Sequence, residues 1–286
     1  MRSSNDQPPG PLRKALSSLI RAPAIVSLIW PAILIVGGWI AWDRWGAERM
    51  RREFVGIDPA SIQISPPPRQ IRSSIVETVY SDTGMQQVSL LDPDSTARIA
   101  AAFSMHPWVR QVTSVRKLPG GSIDVRVRYR RPVAMVRVRM PSSDEQVPYF
   151  FPVDGEGVLL PNYDFAARET EDFIHIEVPD AFTYRNLGTP FGDPRVEAAA
   201  ALADVLSPHR ESLSIQAIVW YPESRDGGVP QFEVRLADRG RFFWGSPPGR
   251  EPAGEATPEM KLQYLRSPAA RAGEDLRMAG RGGPYR

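Results

Sequence analysis

The chain carries one unbroken apolar run near its start and shorter alternating or helical patterns after it. No charged residue interrupts Ala22–Trp42. At 1.5 Å per residue such a helix covers about 30 Å, the thickness of a bilayer's hydrocarbon core. Trp39, Trp42 and Trp45 crowd one end, where amphipathic rings favour the headgroup level, and a membrane helix tolerates Pro31. The run exceeds the 7–15 apolar residues of a signal peptide, and Trp42-Asp43-Arg44-Trp45 offers no small-residue cleavage site. An uncleaved membrane helix is predicted.

Beyond it, Ile62-Gln63-Ile64 reads as a short strand. Pro66-Pro67-Pro68 opens a predicted helix through Ile71, Ile75, Val76 and Val79, which Ser81–Gly84 ends. A second helix is predicted from Asp92 as N-cap and Pro93, through Ile99, Ala102 and Phe103, to His106-Pro107. Strands Val109–Leu118 and Ser122–Arg131 follow, turning at Pro119-Gly120-Gly121. The second alternates strictly: Ile123, Val125, Val127 and Tyr129 inward, Asp124, Arg126, Arg128 and Arg130 outward.

From Val133 strands and turns dominate. Val133–Met140 is a strand and Met140–Gln146 a polar loop. Tyr149–Val153 and Gly157–Leu160 flank the turn Asp154-Gly155-Glu156-Gly157. Phe173–Val178 alternates, and a helix runs from Asp193-Pro194 to Leu206. Strands Ser214–Tyr221, Gln231–Leu236 and Arg241–Trp244 come next, and Thr257-Pro258 opens a last helix through Leu265. The fold class read from this order is α+β: a transmembrane helix, a strand-helix-helix-strand-strand unit, then a β-rich domain with two or three helices.

Charge changes little. The first 21 residues carry Arg2, Arg13, Lys14 and Arg21 against Asp6, leaving 31 basic and 32 acidic residues beyond the apolar run. A general nucleic-acid binder would be more basic. With no cysteine, disulfides, thiolate catalysis and Cys-based zinc sites are excluded. Arg44, Arg49, Arg51 and Arg52 balance the basic residues before the run, so the positive-inside count is a tie. A long domain translocates largely regardless of charge, which favours a short cytoplasmic tail and a periplasmic domain.

Candidate chemistry is sparse. His106, His175 and His209 have no ligand spacing between them. Asp154 and Glu156 sit where a turn calls for such residues. No P-loop, G-x-G-x-x-G or G-x-S-x-G occurs. No catalytic, cofactor or metal residue is therefore assigned, and no enzyme activity is expected. Arg126, Arg128 and Arg130, with Arg137 and Arg139 on the next strand, read as a solvated face or as a surface for an acidic partner or anionic headgroups.

The ordered series resembles the bacterial division protein family FtsQ (DivIB), and its first unit resembles a POTRA domain. Phe54-Val55-Gly56-Ile57 lies where that family leads into the domain. His106-Pro107-Trp108-Val109, Val112, Val115 and Leu118-Pro119 resemble its hPWV…V…P signature. Ile123-Asp124-Val125 with Arg131-Pro132-Val133-Ala134 resembles I-x-V…RPVA, and Tyr149–Leu160 its D..G hairpin. Ala237–Gly240, Phe243-Trp244-Gly245 and Lys261-Leu262 resemble its l.dG..v.lG…KL run. The family continues into a DLRYP-like strand whose edge receives a partner strand. Asp275-Leu276-Arg277 matches its start, and Met278–Gly283 departs from it.

The resemblance implies residues 1–21 as cytoplasmic tail, 22–42 as membrane helix, 43–53 as stalk, 54–132 as POTRA-like domain, 133–265 as FtsQ-like β domain and 266–286 as flexible tail. It implies a recruitment scaffold in the inner membrane. Its partners would be other membrane-anchored division proteins and, through residues 22–42, lipid; no nucleic acid and no small-molecule substrate are expected. Capture is expected at strand edges, on Gln231–Leu236 and Arg241–Trp244, with Phe243, Asp275, Leu276 and Arg277 as partner-binding residues. An envelope secretion or assembly factor with a POTRA-like chaperone module is the alternative.

Overall fold

The computed structural model describes residues 23–46, 57–138, 148–222 and 228–279. The expected tail 1–21, most of the stalk, the loop Met140–Gln146 and the chain past residue 279 lie outside them. Helix α1, Pro23–Ala41, is 19 residues long and uncharged; Trp42–Gly46 adds a π-helical turn. Among the described residues no helix is long and apolar enough to cross a membrane. The side chains of α1 are described only from Pro31 on, a stretch shorter than the roughly 20 residues a span needs.

The first sheet holds β1 (Ile62–Ile64), β2 (Val109–Lys117) and β3 (Ile123–Tyr129). Their order is β1-β3-β2, with β1 parallel and β2 antiparallel to β3. Helices α2 (Ile75–Asp82) and α3 (Ser95–Ser104) lie between β1 and β2 in the chain. The alternation of β3 is realised: Ile123, Val125 and Val127 are buried with Ile75, Val79, Ile99 and Phe103, while Arg126 and Arg128 are exposed. Tyr129 donates its hydroxyl to the Ser65 carbonyl, and burial pushes its phenol up to about 12.

Three expectations fail here. The first helix begins at Ile75, capped by Ser74, and not at the prolines. A residue before proline is driven out of the helical region, and the N–H groups of Arg72 and Ser73 are engaged elsewhere. The second begins at Ser95, because Asp92–Asp94 form a turn in which the Asp92 carbonyl accepts from Ser95. Arg130 does not join the solvated row. It reaches Asp154 at 2.6 Å and Glu156 at 3.0 Å, with only 14% of its side chain exposed.

The second sheet has six strands: β4 (Pro132–Val138), β5 (Tyr149–Asp154), β6 (Ile174–Glu177), β7 (Ile215–Tyr221), β8 (Gln231–Leu236) and β9 (Gly240–Gly245). The order is β5-β4-β6-β7-β8-β9; β4, β6 and β7 are parallel and the other pairs antiparallel. Helix α4 (Pro194–Leu206), capped by Asp193, buries Val196, Leu202 and Leu206 with Val136, Ile176, Ile218 and Val234. Helix α5 is Pro258–Arg266, capped by Thr257. Residues 267–279, expected as part of a flexible tail, are folded: Leu276 is fully buried in the same core.

Asp164, 2% exposed, joins the two sheets. Its Oδ1 accepts from the backbone N–H of Arg72 (3.1 Å) and Ser73 (2.8 Å); its Oδ2 accepts from Ser73 Oγ (3.0 Å) and Trp108 Nε1 (2.7 Å). Leu160 enters the core of the first sheet, and Phe165 lies against Trp108 with 6.0 Å between ring centroids. Arg130 with Asp154 and Glu156, and Arg72 with Glu169, flank this contact.

Removing the Asp164 carboxylate leaves buried donors unpaired at a cost of about 1–3 kcal/mol each. Asp164→Ala is expected to lower stability by about 3 kcal/mol or more, and Asp164→Asn, which keeps one acceptor, by less. Urea unfolding checks this, and an Asp164→Ala midpoint equal to wild type overturns it. His106 gives a pH signature. It is buried, its Nδ1 accepts from the Trp108 N–H at 3.2 Å, and its Nε2 has no partner. Burial lowers its pKa below 6.5, against the pull of Asp164 and Asp82. The unfolded chain therefore takes up this proton first. The stability His106 provides is intact above about pH 6.5 and declines as pH falls from there toward its folded pKa. Melting curves between pH 7.5 and 5.5 are expected to show a steeper acid loss for wild type than for His106→Gln.

Candidate partner-binding edge

The sequence places capture on exposed edges of β8 and β9. The structure corrects this. β8 lies between β7 and β9, so both of its edges are used. β9 is the last named strand, but the chain's own residues 273–277 lie along it. Gly273 N–H donates to the Arg241 carbonyl (2.7 Å), and Phe243 N–H donates to the Glu274 carbonyl (2.9 Å). Asp275 forms a parallel bridge with Phe243. This strap is also tied from behind, where Ala256 N–H donates to the Arg277 carbonyl at 2.7 Å.

The proposed residues therefore separate by role. In a parallel bridge the residues flanking Asp275 face β9, so its own N–H and C=O face away. Leu276 is fully buried in the core, so its side chain is not on the surface. Arg277 lies over the Phe243 ring, 4.6 Å from its centroid, and pairs with Asp275 at 2.7 Å. Tyr221 meets the same ring edge-on at 5.0 Å. Phe243 serves the strap through its backbone and the sheet face through its ring.

A buried polar network seats the strap. Lys261 and Ser246 are fully buried. Glu255 accepts from Ser246 N–H and Ser246 Oγ, both at 2.9 Å, and pairs with Lys261, whose Nζ lies 5.1 Å from the Trp244 ring centroid. Burial lowers the pKa of Lys261, and its bond to Glu255 opposes that shift. Gln231 donates to Ser246 at 3.0 Å. Gly245 adopts φ +91, and a Cβ there would stand 2.6 Å from both Arg277 Cγ and a Glu255 oxygen. Sequence reasoning missed this network. Lys261 appears in it only as part of a family run, and a buried lysine breaks the composition rules that periodicity relies on.

The other polar residues do separate work. Asp154 Oδ1 accepts from the N–H groups of Glu156 and Val158 at 2.9 Å, fixing the expected turn, while its other oxygen holds Arg130. His175 packs on Phe150 with centroids 5.0 Å apart, and its Nε2 is 3.0 Å from the Thr170 carbonyl. His209 touches the Arg266 guanidinium. Among the described residues no three His, Cys, Asp or Glu side chains group as metal ligands. No family model matches the chain, and no curated protein matches it.

Gly245→Ala is expected to displace the strap while β4 to β8 persist. Hydrogen exchange at the amides of Gly273, Phe243 and Ala256 is expected to accelerate at least tenfold, with little change at Ile218 or Val234. Equal protection at all five would show that the close approach at Gly245 is not needed.

Proposed function

We propose that this protein is a membrane-anchored scaffold of the bacterial division complex that recruits partner proteins by strand addition beside its C-terminal strap. The observation that carries this reading is the strap itself. It extends the six-stranded sheet past β9 and turns the N–H and C=O of Asp275 outward. That is where the resemblance to FtsQ puts the partner strand. Main-chain bonds there would supply affinity, and side chains such as Phe243 and Arg277 would supply selectivity.

Anchoring rests on α1. Its 19 residues carry no charge, and Ile33, Leu34, Ile35, Val36, Trp39 and Ile40 are all exposed. Apolar side chains on every side of a helix call for an apolar solvent. The uncharged run Ala22–Trp42 in the sequence would cover about 30 Å as one helix, the thickness of the hydrocarbon core. The order strand-helix-helix-strand-strand, with β1 parallel to β3, supports the POTRA-like reading of the first unit.

Three measurements test the proposal. A C-terminal reporter that is active only outside the cytoplasm is expected to be active, and a cytoplasm-only reporter silent; the reverse pattern overturns the topology. A fluorescent fusion is expected to gather at the division site, and Gly245→Ala is expected to leave its membrane fraction unchanged while lowering partner co-purification at least tenfold. A diffuse envelope signal in dividing cells would remove the division role and favour the assembly-factor alternative.

A further inference from the structure

The outer face of the first sheet is short of carboxylates. On β3 it carries Asp124, Arg126 and Arg128; across from them on β2 stand Arg116, Ser114 and Gln111 in register. Arg116, Arg126 and Arg128 are exposed. Asp124 is spent on Arg126, whose Nε lies 2.9 Å away. Neither Arg116 nor Arg128 makes an ion pair with a described residue. A merely solvated strand face would be expected to intersperse both signs of charge, because like charges on neighbouring positions cost stability. Here two guanidiniums are left uncompensated on two neighbouring strands, with no aromatic residue among the six positions to stack a base.

We infer that this face rests on the anionic phospholipid headgroups of the membrane that α1 enters. The inference depends on the anchoring reading of α1. Ten residues, 47–56, separate the end of the described α1 segment from the first described residue of the sheet unit. Ten residues reach at most about 35 Å, whatever path they take. The tether makes docking intramolecular, so a weak interaction suffices. Each basic residue near an anionic surface contributes about a fivefold gain, and the attraction fades beyond a Debye length. Arginine suits the task because its planar fork binds phosphate oxygens in pairs.

The absence of cysteine gives a clean test. Gln111→Cys, exposed and in register with Arg128, takes a single fluorophore in the full-length chain. The labelled protein is placed in nanodiscs of neutral phosphatidylcholine, or of the same lipid with phosphatidylglycerol, each holding a headgroup-linked quencher. Stronger quenching in the anionic discs is expected, fading in about 0.5 M salt. Arg116→Gln with Arg128→Gln keeps the Arg126–Asp124 pair and is expected to weaken docking about 25-fold, at fivefold per arginine. Unchanged melting of the double variant shows that it folds. Equal quenching in both discs, or an unaffected double variant, overturns the inference while leaving the anchor intact. A chain that enters neither disc overturns both.

Discussion

Asp164 is one carboxylate doing four jobs, and the relation between the two sheets depends on it. A buried ion without compensation costs several kcal/mol, so its position is worth holding only if its lone pairs are filled. All its bonds come from the first unit: two backbone N–H groups, one hydroxyl and one indole. Arg72 and Ser73 therefore present their N–H groups to Asp164 and leave Ser74 to cap α2. Trp108, fully buried, has its indole fixed by Asp164 and its backbone N–H by His106. Helix start, buried tryptophan and interface share one electrostatic centre.

The far end of the second sheet follows the same logic with opposite charge. Lys261 is buried because Glu255 meets it, and Glu255 in turn fixes Ser246 just past β9. Gly245 allows the strap to close over this pair, since any side chain there would strike Arg277 or Glu255. Hydrophobic burial of Leu276 then holds what the polar groups have positioned. A partner strand would meet an edge whose register is already set, which reduces the ordering cost of binding.

How much of this was legible follows the physics of each signal. Ile123, Val125 and Val127 could be read from a period of two, and Asp193-Pro194 and Thr257-Pro258 from cap chemistry; the structure has both. The helix predicted from Pro66 failed because its spacing was counted across residues whose N–H groups serve Asp164, a contact 91 residues away in sequence. Arg130 looked like Arg126 and Arg128 because alternation specifies a face and says nothing of what packs on that face. The strap was hidden for a related reason. Residues rich in Arg, Gly and Ala carry no periodicity, and one leucine, Leu276, anchors them.

These arrangements imply a division of labour between side chains and backbone. The strong polar side-chain contacts near the sheet ends, Asp164 with Trp108, Arg130 with Asp154 and Lys261 with Glu255, are consumed internally and fix geometry. What stays outward at the strap is main chain, with Phe243 and Arg277 beside it. If the strap edge receives a partner strand, as proposed, it would select by register and shape, because backbone groups are the same for every partner sequence. Rigidity would then be a requirement, since a strand edge that shifts by one residue would present the opposite face to an incoming chain. Glu255, with one carboxylate bonded both to Ser246 after β9 and to Lys261 on α5, prevents that shift by tying the strand's exit to the helix that leads into the strap.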